Sequence, residues 1–190
     1  MTGSMAKGLS SAGGFCAGSN EVVAHQRINS PSFVFSAALP PLLAVSASEA
    51  ISLLSIPLTS TDPAHPLSNL PENVRALRNI LAPLNNIEIP SAELSPLIHI
   101  HIKPGTPANS NAVSVESPRE EQERLLQEVV DICAEGGVLI SRTKRNWEQE
   151  MVEQRPSIRI CMTAALSKKE VEKAGATIKS ALSKVLGKKR

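Results

Sequence analysis

Residues 98–102 alternate strictly, isoleucine at 98, 100 and 102 and histidine at 99 and 101. A period of two puts the three isoleucines on one face of a strand and both histidines on the other. This is therefore a strand with one buried and one polar face, and something apolar must cover the isoleucines. Two helices with strong start signals follow. Ser117 can cap one, with Pro118 at its first position and Glu120 completing a capping box, and Gly136-Gly137 stops it after Glu135. Ser167 and Glu170 form a second capping box, after which Val171, Ala174, Ile178, Leu182 and Val185 recur at helical spacing. Further strands are expected over 137–141 and 157–163. The second half thus reads β, loop, α, β, β, α, a two-layer α+β unit.

Upstream the pattern is different. The first 18 residues hold five of the ten glycines, which marks tight turns or close backbone approach and excludes a helix. A short helix is expected over 21–27, capped by Ser19 or Asn20, then an extended run over 32–37. A buried helix starting at Pro41 is expected to reach about residue 54. Residues 57–72 contain four prolines and read as a linker. A helix from Pro71 to about residue 84 follows, with Val74, Leu77, Ile80 and Leu81 on one side. The expected organisation is 1–56 as the end of an incomplete larger domain without a sheet to join, 57–90 as linker and connecting helix, and 91–190 as the small α+β domain.

Charge and cysteine content remove several function classes. Twenty Lys and Arg against 18 Asp and Glu leave +2, too little field to expect a nucleic acid partner. Only Phe15, Phe33, Phe35 and Trp147 are aromatic, so base-stacking platforms are not expected either. Cys16, Cys133 and Cys161 form no C-x-x-C pair, which gives neither a zinc knuckle nor a disulfide framework; Cys133 and Cys161 read as core thiols. His99 and His101 have a spacing that can bind a metal, but no third ligand lies nearby in sequence, so no metal is expected and they read as a polar outer face. The longest uncharged stretch, 28–48, is broken by Pro31, Pro40 and Pro41 and fails as a membrane-spanning helix.

One segment carries candidate chemistry. In residues 3–15, Lys7 stands among Gly3, Gly8, Gly13 and Gly14, with the Ser4 hydroxyl three residues before it. Pyridoxal phosphate chemistry uses such a set: an amine for the cofactor aldehyde, a hydroxyl and backbone N–H groups for the phosphate, and glycines for close approach. On spacing alone, a surface lysine in a flexible leader explains the segment as well.

The segment resembles the cofactor-lysine region of the α-oxoamine synthases, pyridoxal-phosphate enzymes of fold type I. Phe35-Ser36-Ala37-Ala38-Leu39-Pro40-Pro41 resembles that family's second signature, which in related enzymes reaches the cofactor phosphate of a neighbouring subunit. More narrowly, residues 13–18, His25-Gln26-Arg27, and then residues 35–41, 95–100, 125–131 and 156–160 are similar, in that order, to the first long-chain-base subunits of serine palmitoyltransferases.

The resemblance covers nearly the whole chain but only the C-terminal part of the family's length. It implies an α/β fold: the C-terminal portion of a fold type I transferase, the end of the large domain plus a two-layer α+β small domain. The implied reaction condenses L-serine with palmitoyl-CoA to 3-ketosphinganine in a heteromer with the catalytic second long-chain-base subunit, at the cytosolic face of the endoplasmic reticulum membrane. Pyridoxal 5'-phosphate belongs to the parent complex, and this chain alone is not expected to hold it or to form product.

Residue by residue, Lys7 falls at the Schiff-base lysine of catalytic members, Ser4 and Ser36 at phosphate-binding hydroxyls, and Arg159 in the segment carrying an arginine for the amino-acid carboxylate. First subunits usually lack that lysine, and Ala37 replaces a hydroxyl residue that catalytic members often have. Lys7 is thus either a cofactor ligand or a lysine in a degenerate site. Arg159 is either a carboxylate ligand or an ordinary surface arginine. Two other readings stay open: a stand-alone α-oxoamine synthase using Lys7, and a non-enzymatic remnant that binds the catalytic subunit.

Overall fold

The computed structural model describes residues 1–57, 65–104, 118–146, 149–152 and 154–187. The chain divides into two units, Met1–Pro66 and Leu67–Arg190.

The first unit opens with a hairpin. Strands β1 (Thr2–Ser4) and β2 (Gly14–Cys16) pair antiparallel, with Gly3 opposite Phe15 and Ser4 opposite Gly14. Residues 1–56 therefore form a two-stranded sheet of their own, where none was expected. A Cβ at Gly14 would come 2.9 Å from the Gly3 carbonyl oxygen, so glycine is what lets the strands close there. Helices α1 (Asn20–Asn29), α2 (Pro31–Val34) and α3 (Pro41–Leu54) follow.

α2 replaces the extended run expected over 32–37. Pro31 sets the helical φ at the first position, and the Phe35 and Ala37 N–H groups bond back to the Pro31 and Ser32 carbonyls. α3 has the expected limits but is not the expected buried helix. Ala47 is its one buried residue, and Leu42, Val45 and Ile51 are exposed.

The second unit is a complete two-layer structure. Helix α4 (Leu70–Leu81) opens it, followed by β3 (Ile87–Glu88), β4 (Leu97–Ile102), α5 (Pro118–Glu135), β5 (Ser141–Arg142), β6 (Ile158–Cys161) and α6 (Lys168–Leu186). The antiparallel sheet runs β3-β4-β6-β5. Ile98, Ile100 and Ile102 of β4 and Ile158 and Ile160 of β6 point into one core. There they meet Val74, Leu77 and Leu81 of α4, Leu126, Val129 and Cys133 of α5, and Val171, Ile178 and Leu182 of α6. α4, part of the stretch expected to link domains, packs into this core. Its Asn73 is buried and donates to the Thr163 and Leu166 carbonyls, tying α4 to the turn before α6.

The period-two reading of β4 holds, and so does the α6 cap. Ser167 Oγ accepts the Glu170 N–H while the Glu170 carboxylate accepts the Ser167 N–H at 2.8 Å. The Ser117 cap of α5 lies outside the described residues. α6 presents Gly175 where it crosses α4, and a Cβ there would stand 2.8 Å from Ile80 Cδ1. The strand expected over 137–141 shrinks to Ser141 and Arg142. Gly137 has φ +77° and Leu139 is 92% exposed, so the chain is still turning where pairing was expected. Cys161 is exposed rather than a core thiol, because alternation along β6 turns it away from Ile158 and Ile160. Cys133 is buried, and burial pushes its thiol up to about 11.

Candidate functional site

Lys7 lies in the loop that joins β1 to β2. The Met5 N–H donates to the Gly13 carbonyl, the Ser11 N–H to the Met5 carbonyl and the Ser10 N–H to the Lys7 carbonyl, so the loop folds back on itself. Ser11 Oγ donates to the Leu43 carbonyl at 2.7 Å and anchors the loop to α3. Met5 is buried beneath it, whereas Lys7 is exposed. Gly8 has no heavy atom within 4 Å of where a Cβ would stand, so the backbone beside the lysine faces open space. Ser4 Oγ accepts the Ala6 N–H at 3.3 Å, which leaves its own O–H to donate outward.

The glycine-rich hairpin and the 35–41 run share one cleft of about 770 Å³. Its lining includes Gly3, Gly13 and Gly14 of the hairpin, Ala37, Ala38, Leu39 and Pro40 of the second run, and Gln26 and Arg27 of α1. The two motif segments, distant in sequence, are thus brought together. Lys7, Ser4 and Ser36 do not line this cleft. Ser36 follows α2 with φ +55° and is exposed. Most of these glycines make room for protein: a Cβ at Gly3 would strike the Phe15 ring, and one at Gly13 would stand 2.7 Å from Leu39 Cδ1.

The donor set can be matched against pyridoxal phosphate. An exposed amine, a hydroxyl with its hydrogen to give and an open glycine backbone suit the aldehyde and phosphate ends. An acid for the pyridine nitrogen is not in the set: Glu21 and Glu49 are the acids among the described residues of the first unit, and both are exposed on helices. The residues fit one end of the group.

Arg159 belongs to the second unit. It is exposed on β6, opposite His99 in β4 and Ser141 in β5, on the sheet face away from the core. His99 and His101 share that face, half-buried rather than freely solvated. His99 Nδ1 lies 3.1 Å from Ser157 Oγ and His101 Nδ1 donates to the Pro156 carbonyl at 2.9 Å. Burial holds the His101 imidazole below the usual histidine range. The Pro156 bond and Glu88 oppose that fall, while Arg155 and His99 add to it. No cluster of three or more metal-ligating side chains occurs among the described residues. The sequence reading missed Arg145 and Arg155 as neighbours of these histidines. Their charge was visible, but their approach to β4 depends on the fold of the loop before β6.

Residues 1–178 match the aminotransferase class I and II family. The chain is 37% identical to serine palmitoyltransferase 1 of Dictyostelium discoideum, over 98% of this chain and 37% of that protein. It is 32% identical to long chain base biosynthesis protein 1c of Oryza sativa subsp. japonica, over 98% of this chain and 35% of that protein. The chain therefore spans little more than a third of the length of these relatives. Among solved structures it resembles 8-amino-7-oxononanoate synthase from Francisella tularensis at 13% identity and TM-score 0.65, covering 96% of this chain and 45% of that one. It also resembles a structure of SPT with PLP internal aldimine at 16% identity and TM-score 0.67, covering 97% of this chain and 39% of that one. These similarities place both units in the fold of pyridoxal-phosphate transferases.

Proposed function

Because the chain belongs to the aminotransferase class I and II family, we propose that it is the C-terminal part of a first long-chain-base subunit of serine palmitoyltransferase. The single observation behind this is 37% identity that runs through 98% of the chain yet occupies 37% of the relative. The state of the first unit supports it. Phe33, Phe35, Leu42 and Val45 are all more than half exposed, which suits a surface that more of the same fold would cover.

On this reading the complex condenses L-serine with palmitoyl-CoA to 3-ketosphinganine, with the catalytic second subunit as partner, at the endoplasmic reticulum membrane. None of the helices among the described residues is long and apolar enough to cross a membrane, so membrane attachment would come from elsewhere in the assembly. Pyridoxal phosphate, when bound, supplies an electron sink for the carbanion formed on the amino acid. Lys7 would hold its aldehyde end and Ser4 would donate to its phosphate, while Ser36 would donate to the phosphate of a cofactor held by the neighbouring subunit. Arg159 would take the substrate carboxylate through its two-pronged guanidinium. The acid and the ring-stacking group needed at the pyridine would come from outside this chain.

The test is an activity assay. Purified 1–190, given L-serine, palmitoyl-CoA and pyridoxal phosphate, should form no 3-ketosphinganine, and product from the isolated chain would refute the subunit reading. An antibody against residues 119–135 should detect, in source cells, a membrane-fraction band well above 20.2 kDa. A soluble band at that mass would remove the membrane assignment. Pyridoxal phosphate absorbance retained by the isolated chain and lost in Lys7→Ala would favour the stand-alone enzyme.

A further inference from the structure

Among the described residues the Lys7 side chain makes no hydrogen bond or ion pair. A Cβ built on the adjacent Gly8 would meet no heavy atom within 4 Å. The amine is therefore placed by its backbone, and the backbone by whatever holds the loop. At the base of the loop, the Met5 N–H donates to the Gly13 carbonyl at 3.0 Å and the Ser11 N–H to the Met5 carbonyl at 3.1 Å. At its tip, the Ser10 N–H donates to the Lys7 carbonyl at 3.2 Å, with Ser10 at φ +47°. Serine is uncommon in that left-handed region, and such a conformation persists where the surroundings fix it.

Those bonds shape the loop but tie it to nothing beyond the hairpin. Ser11 does that. Its Oγ donates to the Leu43 carbonyl at 2.7 Å, across 32 residues of sequence. Leu43 lies in the first turn of α3 and lines the cleft shared by the two motif segments. Leu39 of the 35–41 run adds an apolar contact at the same junction. Its Cδ1 stands 2.7 Å, and Met5 Cε 3.9 Å, from where Gly13 would carry a Cβ. Apolar packing has no direction, whereas a hydrogen bond fixes both distance and angle. Ser11 thus joins every part of the loop: its N–H closes the base, it follows Ser10 at the tip, and its hydroxyl reaches α3.

We infer that Ser11 is a positioning residue for the Lys7 amine: by tethering the loop to α3 it fixes where that amine meets an aldehyde. The inference rests on the reading that Lys7 holds the aldehyde end of pyridoxal phosphate. Ser11 acts through the backbone between it and Lys7 and has no part in the chemistry itself. A displacement of about 1 Å at a reacting group can lower its rate about a hundredfold, so loss of one tether is large enough to read.

Borohydride trapping reads the amine directly, without product formation. Protein purified from source cells expressing the wild-type or a variant chain is saturated with pyridoxal phosphate, reduced, and mapped by peptide mass spectrometry. Each lysine that held the aldehyde keeps a phosphopyridoxyl mark. Lys169, exposed on α6 in the second unit, serves as the internal reference. The expected result is a Lys7 mark several-fold above that of Lys169 in the wild type. Ser11→Ala should bring the two close to equal, and Ser11→Thr, which keeps the hydroxyl, should restore the difference. Ser10→Ala removes a hydroxyl that has no partner among the described residues and should leave the ratio unchanged.

A Lys7 mark that stays high in Ser11→Ala overturns the inference and leaves the Lys7 reading standing. An equal fall in Ser10→Ala, or no recovery in Ser11→Thr, overturns it in the same way, because the effect would then not follow the Ser11 hydroxyl. Equal marks on Lys7 and Lys169 in the wild type bring down the Lys7 reading and the inference with it. Melting curves establish that each variant is folded. Should Ser11→Ala not fold, Ser11→Cys, close to serine in size and a much weaker donor, must show the same fall.

Discussion

The two units carry apolar residues in similar supply and use them in opposite ways. In the second unit, a core from Val74 to Leu186 is sealed between the sheet and three helices. In the first, Met5 and Ala47 are the buried apolar residues among those described, and the largest side chains of α2 and α3 face solvent. The difference shows that helix formation and core formation are separate achievements. Proline at the first turn sets the start of α3, but burial needs a facing layer, and among the described residues α3 buries only Ala47.

Substitutions can break this contrast. Leu126→Ala, at a fully buried position of α5, should cost about 2–5 kcal/mol in denaturant unfolding. Leu42→Ala, 78% exposed on α3, should stay within about 0.5 kcal/mol. A comparable cost at Leu42 would mean that the first unit hides a core. Next in size, Gly175→Leu puts a side chain where α6 crosses α4, close against Ile80, and overpacking should cost about 1–3 kcal/mol by thermal or urea melting.

Ser167→Ala removes the α6 cap, a change worth about 1 kcal/mol, and circular dichroism at rising temperature would show it. The same cap has a pH signature. Its bonds from Ser167 hold the Glu170 carboxyl below the usual 4.5, so the stabilising effect is present above that value and is lost as pH falls through the lowered one. The Ser167→Ala chain should show a weaker acid dependence, because the hydroxyl bond goes and the backbone N–H bond to Glu170 stays; an unchanged acid limb would mean that Glu170 gains nothing from the cap hydroxyl.

The smallest perturbation is chemical labelling at neutral pH. Cys16 and Cys161 should react promptly with a thiol reagent, and Cys133, buried with its pKa near 11, only after unfolding. Prompt reaction of all three would show that the core of the second unit opens readily.

Much of the second unit was legible in the residues. Alternation set the faces of β4, and the Ser167 and Glu170 pair marked the start of α6, because both signals act over a few residues. β3 was not legible: two residues, Ile87 and Glu88, become a strand only through pairing with Ile102 and His101. β5 is as short for the same reason. Of the candidate site, the lysine loop and the 35–41 run were each readable as motifs. Their meeting around one cleft was not, nor was the exclusion of Lys7, Ser4 and Ser36 from its walls.

The sequence by itself determined the limits of α3, the cap of α6, the apolar face of β4, and the family to which the segments are similar. Those properties rest on side-chain period, backbone φ and local hydrogen bonds, all of which act between near neighbours. Only the tertiary structure decided which apolar faces find a cover, that Cys161 points outward, and that Arg145 and Arg155 stand beside His99 and His101. Such outcomes depend on strand register and loop path, which bring together residues as far apart as Glu88 and Arg155. Local preference along the chain carries no record of those distances.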